Sequence, residues 1–269
     1  MGVEWHDGVM SDDVVLLEVS ERIATITLNR PAARNAMSSE VLRLLPRLMN
    51  EADGRDDVDV IILTGADPAF CAGLDLKELG NTATNLERVG ADGSPDRTPG
   101  RGPFPAVSKP TIGAINGVAV TGGFELALNC DFLVASERAK FGDTHARVGV
   151  MPSWGLSVLL PQAIGVRRAR EMSFTGNFLS AEEAFHFGLV NHVVAHDELL
   201  PVTRRLALDI IGNDQAGVRQ IRRTYGEVTA DADGWAIEAR DSSAWRQAAF
   251  DPAKVAERRA AIMDRGRQQ

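Results

Sequence analysis

The chain has 269 residues, of which 44% are hydrophobic, and a formal net charge of −8 at pH 7. This length can bury a substantial core, and we expect one large domain with an appendage. The negative charge and the scattered Lys and Arg residues argue against nucleic acid as the main partner.

The cysteines and the apolar segments bear on the compartment. Cys71 and Cys130 are the only cysteines, which is too few for a disulfide framework, and they lack the spacing of metal ligands. The N-terminal sequence lacks the basic and apolar regions of a signal peptide. The longest apolar stretch, residues 112–135, contains Glu125 and Asp131 and is a poor membrane span. We therefore expect a cytoplasmic protein with no metal site and no membrane association.

The N-terminal segment predicts a hairpin, a helix and a buried strand. Two β-rich runs, residues 14–19 and 23–28, are separated by a short polar turn and predict the hairpin. Ser38 is a suitable N-cap for the helix, which Pro46 should kink or deprive of a hydrogen bond. Residues 57–64 form a nearly continuous apolar run, as expected of a strand buried on both faces.

Two loops follow this strand. Residues 65–77 predict a loop that presents backbone amides beside the strand end and opens a short helix near Asp75. Residues 80–103 are rich in Gly, Pro, Asp, Thr and Asn and predict a mobile surface loop. Because long loops in compact domains often cover binding sites, this one is a candidate substrate cover.

The apolar stretch has the pattern of a strand, a glycine-rich turn and a helix. The strand is residues 111–115, the turn residues 117–123, and an apolar helical pattern follows. The amides of Gly122 and Gly123 are candidate oxyanion donors, because the first amides of a helix lack intrahelical partners. Glu125 falls in the first turn of the helix. On pattern alone, an alternative is a core strand and helix in which Glu125 reaches solvent.

The remaining pattern changes from mixed to helical. Residues 131–136 and 139–142 predict strands, and the alternation of strands with helices indicates βαβ units and a parallel sheet. Beyond residue 152 only residues 189–194 predict a strand. Helices are predicted over 155–164, 166–174, 180–187, 197–212, 214–230, 232–248 and 251–264.

Several motifs, taken in order, are specific to one family. They are Asn29-Arg30-Pro31 with Asn35-Ala36, Phe70-Cys71-Ala72-Gly73-Leu74-Asp75-Leu76-Lys77, residues 109–117, Gly122-Gly123-Phe124-Glu125-Leu126-Ala127, Cys130-Asp131 and Phe141-Gly142. On these residues the chain resembles the enoyl-CoA hydratase/isomerase family, the crotonase superfamily, over nearly its whole length.

The resemblance implies both a fold and a substrate. The fold would be α/β, with a crotonase-like ββα spiral core in residues 1–196. A helical C-terminal region in residues 197–269 would serve in packing and trimerisation. The resemblance also implies an acyl-CoA thioester as substrate, no cofactor other than the coenzyme A of that substrate, and a homotrimer or a dimer of trimers.

The resemblance also assigns site residues by motif position. In this family two backbone N–H groups hold the thioester carbonyl oxygen and stabilise the enolate. The matching donors here are the amides of Leu74 and Gly122, and Glu125 matches the first catalytic carboxylate. The implied substrate-binding residues are Ala72, Asp75, Leu76 and Lys77. Trp154 stands where the family often has a small residue, and we expect it to contact the substrate in a narrower pocket.

The most important departure from the family pattern is at residue 145. The hydratases usually carry a second glutamate four residues after the Phe-Gly pair, and this chain has His145 there. We expect His145 to lie in the active site. It could donate a proton, with an ordinary pKa of about 6.5, or it could only line the pocket.

Three functions remain open. We favour hydration of a 2-enoyl-CoA, and the alternatives are Δ3,Δ2-enoyl-CoA isomerisation by Glu125 alone and acyl-CoA binding without turnover. A dinucleotide-dependent oxidoreductase is excluded, because no G-x-G-x-x-G motif follows a first strand. The sequence contains no recognisable Ser-His-Asp signature or metal-ligand cluster.

Overall fold

The structure is a computed structural model that describes residues 13–86 and 102–268. Its strands are β1 (Val15–Ser20), β2 (Ile23–Leu28), β3 (Val60–Gly65), β4 (Ala69–Cys71), β5 (Thr111–Ile115), β6 (Val118–Val120), β7 (Phe132–Ser136), β8 (Lys140–Gly142), β9 (Phe178–Ser180) and β10 (His192–Val194). Its α-helices are α1 (Ser39–Gly54), α2 (Leu76–Asn81), α3 (Gly122–Leu128), α4 (His145–Val148), α5 (Leu156–Ile164), α6 (Val166–Thr175), α7 (Ala181–His186), α8 (Leu199–Ile211), α9 (Gln215–Val228), α10 (Ala232–Ala248) and α11 (Pro252–Gln268).

The strands form two sheets. The larger has the order β1-β2-β3-β5-β7-β10 and the smaller has the order β4-β6-β8-β9. The predicted hairpin is confirmed, because β1 pairs antiparallel with β2. Its turn residues Glu21 and Arg22 have φ of 51° and 63°, the sign that the favoured two-residue hairpin turns require. From β2 to β10 every pairing in the larger sheet is parallel, as the strand and helix pattern predicts.

The chain alternates between the two sheets as it advances. β3, β5 and β7 belong to the larger sheet, and the strands that follow them, β4, β6 and β8, belong to the smaller. A helix follows each pair: α2 after β4, α3 after β6 and α4 after β8. Every residue of β3 is buried, as predicted for a strand covered on both faces. This repeated arrangement is the ββα spiral that the resemblance implies.

Some local predictions are wrong. β4 and β6 lie in segments whose composition predicts a loop and a turn, and β9 lies beyond residue 152, where only residues 189–194 were predicted to form a strand. These strands of three residues are held by pairing within the smaller sheet, so tertiary contacts override the local turn signal. β10 is shorter than the run predicted over 189–194. The predicted helix is present as α1, which contains Pro46 and continues beyond it to Gly54. Of the predicted cover, residues 87–101 lie outside the described residues.

The C-terminal helices pack on the spiral. α8 covers the larger sheet, where Leu199 and Ala207 join a buried cluster with strand residues that include Ile112. α11 packs on α2 and α4, and its Val255 is buried in the same cluster as Leu79 of α2. The division at residues 196 and 197, and the role of the second part in trimerisation, stay predictions. No helix in the described part of the chain is both long enough and apolar enough to cross a membrane.

Candidate active site

The glycine-rich turn brings β6 into α3 through a strained residue. Thr121 has φ of 54° and ψ of −122°, a conformation that β-branched residues rarely adopt. Its amide donates to the Gly142 carbonyl over 3.0 Å, and its hydroxyl bonds the Thr144 hydroxyl. α3 then begins at Gly122, whose amide has no acceptor within residues 13–86 and 102–268. The amide predicted as an oxyanion donor is therefore not used by the described part of the chain.

Close packing explains the two glycines. A Cβ on Gly122 would lie 2.6 Å from Cζ3 of Trp154 and 2.8 Å from Cε of Met37. A Cβ on Gly123 would overlap the Cys71 carbonyl. The backbone of Gly122 thus faces the side chains of Trp154 and Met37, and the backbone of Gly123 is pressed against β4.

The second predicted donor, the amide of Leu74, lies on a loop that abuts this turn. Gly73 has φ of 85°, and a Cβ there would lie 3.0 Å from the Val120 carbonyl. Met37 holds the loop on both sides of Leu74, because its amide donates to the Gly73 carbonyl over 2.8 Å and its carbonyl accepts from the Asp75 amide over 3.0 Å. The Leu74 amide itself has no partner among the described residues. Both predicted donors are therefore unpaired and lie on neighbouring segments.

Glu125 is buried in the first turn of α3. Glu125 is only 2% exposed, so the alternative in which its side chain reaches solvent is wrong. Glu125 Oε1 accepts hydrogen bonds from the amides of Ser153 and Trp154, over 3.1 Å and 2.7 Å. Both backbone amides therefore fix the same carboxylate oxygen, and Oε2 accepts neither of them.

His145 faces that second oxygen. Its Nε2 lies 3.3 Å from Glu125 Oε2, and its Nδ1 lies 2.6 Å from Asp143 Oδ1. Burial lowers the pKa of His145, but the carboxylates of Glu125 and Asp143 outweigh burial and raise it to about 10. The expected ordinary pKa is wrong for this reason. Burial would raise the pKa of Asp143, but its hydrogen bond to His145 and the charge of His145 lower it.

The sequence did not single out Asp143. It is buried and precedes His145 by two residues, and its Oδ1 also accepts the His145 amide over 3.1 Å. A carboxylate two residues before a histidine can bond both the ring and the backbone of that histidine. The spacing was a usable signal, but it is a common one and carries little weight without the fold.

The predicted substrate-binding residues have different surroundings. Asp75 caps α2 and bonds Arg30 over 3.0 Å, so its carboxylate is engaged within the chain. The Ala72 amide donates to the Arg34 carbonyl, Leu76 packs beside the buried cluster of Leu79, and Lys77 is exposed. Trp154 is partly buried, with its ring against Gly122. Only Trp154 is placed directly on an assigned donor, and the substrate-binding role of all five stays a prediction.

A second histidine cluster is structural. His196 Nδ1 lies 3.0 Å from Ser136 Oγ, and its Nε2 lies 3.0 Å from Asp67 Oδ2. Ser136 is fully buried at the end of β7, where its hydroxyl also accepts the Arg138 amide. A nucleophile must be accessible, so these three residues do not form a hydrolytic triad.

Other classes of site are not supported by the described part of the chain. Burial raises the pKa of the Cys71 thiol to about 12, which leaves it protonated and unreactive at neutral pH. No group of three or more His, Cys, Asp or Glu side chains between residues 13 and 86 or 102 and 268 is arranged to hold a metal ion. The titratable groups of the candidate site are therefore Asp143, His145 and Glu125.

Comparison with known proteins identifies the family of the chain. The model of the enoyl-CoA hydratase/isomerase family matches residues 18–249. The chain belongs to the enoyl-CoA hydratase/isomerase family. Glu125, both predicted amide donors and His145 all lie within the matched residues, so the candidate site occupies the part of the chain that is characteristic of the family.

Individual relatives in the family cover most of the chain. A protein of Arabidopsis thaliana named "Probable enoyl-CoA hydratase 1, peroxisomal" is 42% identical over 222 residues, which is 82% of each chain. The crystal structure of an enoyl-CoA hydratase from Mycobacterium tuberculosis H37Rv is 49% identical, with a TM-score of 0.79, covering 88% of this chain and 100% of that one. A monofunctional enoyl-CoA isomerase from M. smegmatis is 33% identical, with a TM-score of 0.66, covering 83% and 98%.

Proposed function

We propose that the protein is an enoyl-CoA hydratase, which adds water reversibly to a 2-enoyl-CoA thioester. The observation that carries this proposal is the buried contact of His145 with Glu125, which lies in the first turn of the helix that begins at Gly122. Hydration needs a base for water and an acid for the α-carbon, and this pair supplies both. The named hydratases among the relatives support the same activity.

The proposed reaction begins at the thioester carbonyl. Its oxygen lies between the amides of Leu74 and Gly122, which stabilise the negative charge of the enolate. Loss of one such donor in other enzymes costs about 3 kcal/mol of transition-state stabilisation. The substrate-binding residues in this proposal are those assigned by resemblance, with Trp154 as a wall of the acyl pocket.

The two side chains then divide the proton transfers. Glu125 Oε2 takes a proton from water as the hydroxyl group bonds to the β-carbon, and the His145 imidazolium gives a proton to the α-carbon. Glu125 then returns its proton to His145 across their 3.3 Å contact. The sum is the addition of one water molecule, and the site regains its starting charges without a cofactor.

Two alternatives are weaker. An isomerase moves one proton between carbons and needs only Glu125, which leaves the buried His145 and Asp143 without a role in the reaction. A protein that binds acyl-CoA without turnover does not need the buried pair of Glu125 and His145, and burial of charged side chains is unfavourable. Both alternatives keep the predicted amide donors, so binding of acyl-CoA does not distinguish them from the hydratase.

A turnover screen distinguishes the three functions. The purified protein is incubated with enoyl-CoAs that differ in chain length and double-bond position, and the products are identified. A hydratase converts crotonoyl-CoA to a 3-hydroxyacyl-CoA with loss of the enoyl absorbance. An isomerase converts only 3-enoyl-CoAs to 2-enoyl-CoAs, and a binding protein converts none.

Assembly and location are also proposals. We propose a trimer or a dimer of trimers, supported by large apolar side chains such as Phe174 and Val228, which are 79% and 72% exposed in the single chain. We propose a cytoplasmic location, supported by two buried cysteines without a disulfide.

A further inference from the structure

A second buried carboxylate stands behind Glu125. Glu238 is on α10, far along the chain, and is only 6% exposed. Its Oε1 accepts the amide of Gly155 over 2.6 Å, and its Oε2 accepts the amide of Ser157 over 2.7 Å. Both oxygens are therefore used to hold the start of α5.

Glu238 takes the place of a local helix cap. α5 begins after Gly155, which has φ of 101° and no side chain to accept the first amides of the helix. A Cβ at Gly155 would overlap the ring of Trp235, which is also on α10. Helix α10 thus supplies Glu238, the acceptor for the first amides of α5, and Trp235, whose ring leaves room only for glycine at residue 155.

The same backbone segment holds Glu125. In segment 153–157, the amides of Ser153 and Trp154 bond Glu125, and those of Gly155 and Ser157 bond Glu238. The Trp154 carbonyl accepts Asn129 Nδ2 over 2.9 Å, which ties the segment to the end of α3. Two buried carboxylates therefore share one short run of amides.

The surroundings of Glu238 disfavour the charged form of its side chain. Burial, and then the nearby charge of Glu125, raise the pKa of Glu238, whereas its hydrogen bonds lower it. A neutral side chain could accept hydrogen bonds from the first amides of α5 without being repelled by the charge of Glu125. An ionised carboxylate, however, can accept from two amides at once and fix their relative orientation.

We propose that Glu238 is a positioning residue that orients Glu125 through segment 153–157. Without it the start of α5 is free to shift, and the amides that fix Glu125 Oε1 shift with it. The Trp154 ring, which lies on Gly122, belongs to the same segment. This inference rests on the proposed hydratase function, and its effect should fall on kcat, because the orientation of Glu125 matters for proton transfer more than for binding.

The test compares three variants in the full-length protein. Glu238→Gln keeps the shape but presents one acceptor oxygen in place of two, and Glu238→Ala removes both. Asp231→Ala is the matched control, because Asp231 caps α10 through the Gly234 amide and does not touch segment 153–157. The measurements are kcat and KM for crotonoyl-CoA, and the rate of hydrogen–deuterium exchange in peptides that cover residues 153–157.

We expect kcat to fall about 10-fold in Glu238→Gln and about 100-fold in Glu238→Ala, with KM changed by less than about 3-fold. Exchange in segment 153–157 should be faster in both, and Asp231→Ala should match wild type in kcat and in that exchange. An unchanged kcat in Glu238→Gln overturns the proposal, as does an equal loss of kcat in Asp231→Ala. If Glu238→Ala does not fold, Glu238→Gln carries the test.

The exchange measurement separates this inference from the proposed function. If the wild-type protein converts no enoyl-CoA, the hydratase function fails, and unchanged exchange in Glu238→Gln then overturns the positioning of the segment as well. If wild type turns over and Glu238→Gln equals it, only the inference fails.

Discussion

The imidazole Nε2 of His145 lies 3.3 Å from Glu125 Oε2, and both side chains are almost completely buried. This contact pairs an imidazole with a carboxylate in a place that water does not screen. The carboxylate of Glu125 therefore helps to raise the pKa of His145, and a substitution at Glu125 removes that contribution.

Glu125→Gln should abolish most turnover and leave the fold intact. The amide keeps the shape of the side chain and one oxygen for the amides of Ser153 and Trp154. It cannot accept a proton from water, so kcat for crotonoyl-CoA should fall by about 1,000-fold. Calorimetric titration with a CoA ligand should show retained affinity, and a wild-type kcat would refute the role of Glu125.

The pH dependence of activity should report the raised pKa of His145. As a proton donor His145 must be charged, so hydratase activity should persist through neutral pH and fall as pH rises through about 10. A decline centred near the ordinary value of about 6.5 would contradict the geometry.

Because the folded-state pKa of His145 is higher than its unfolded-state pKa, the stability that His145 contributes is fully present below about pH 6.5 and is lost as pH rises through about 10. Denaturant unfolding at several pH values measures this contribution to the free energy of unfolding.

His145→Ala distinguishes a proton donor from a pocket wall. If His145 donates the proton, the substitution should lower the rate about 100-fold and remove the alkaline decline. If it only lines the pocket, kcat for the best substrate and the pH profile should be nearly unchanged, and the preferred chain length should shift. A full rate with an identical pH profile rejects the donor role and favours a mechanism run by Glu125 alone.

Trp154→Phe should shift the acyl preference toward longer chains. The indole ring lies against Gly122, so a smaller ring opens space beside the predicted carbonyl site. The ratio of kcat/KM for a longer enoyl-CoA to that for crotonoyl-CoA should rise about 10-fold, the value of about one methylene group. Trp245→Phe is the control, because Trp245 donates to the Gly149 carbonyl from α10. An equal ratio in both variants would exclude Trp154 as a wall.

The protein should be a trimer or a hexamer in solution. Phe174, Tyr225 and Val228 are large and more than half exposed in the single chain, and assembly would cover such surface. Light scattering at micromolar concentration measures the mass directly. A stable monomer at that concentration would contradict the proposal.

Two glycine substitutions should have opposite effects on stability. Gly123→Ala forces a methyl group into the Cys71 carbonyl, so the free energy of unfolding should fall by about 1–3 kcal/mol. Gly226→Ala places the methyl group in open space within α9, and the free energy of unfolding should rise by about 0.4–1 kcal/mol. Denaturant unfolding compares the two, and a stabilising Gly123→Ala would show that the turn does not require glycine.

The fold was predictable from the sequence where the local pattern and the tertiary pairing agree. The continuous apolar run of β3 and the alternation of strands with helices are of this kind. β4 and β6 were missed because each is three residues long and sits among glycine and proline signals. Their strand conformation comes from pairing within the smaller sheet, which no local pattern contains.

The candidate site was predictable in part for the same reason. Glu125, His145 and both predicted amide donors were assigned by resemblance to the motifs of the family. The raised pKa of His145 did not, because it comes from two carboxylates that the fold buries beside the ring. Glu238 carried no signal, since an isolated glutamate in a predicted helix is ordinarily a solvated residue.

The packing of α11 on α2 has a consequence for synthesis of the protein. Leu79 of α2 follows the loop of Leu74 closely, but Val255, which shares its buried cluster, is translated much later. On the ribosome, the apolar side of α2 therefore stays uncovered long after both predicted amide donors have been made. The nascent chain can bury Leu79 against Val255 only once α11 has emerged, and translation that stops before α11 leaves Leu79 exposed.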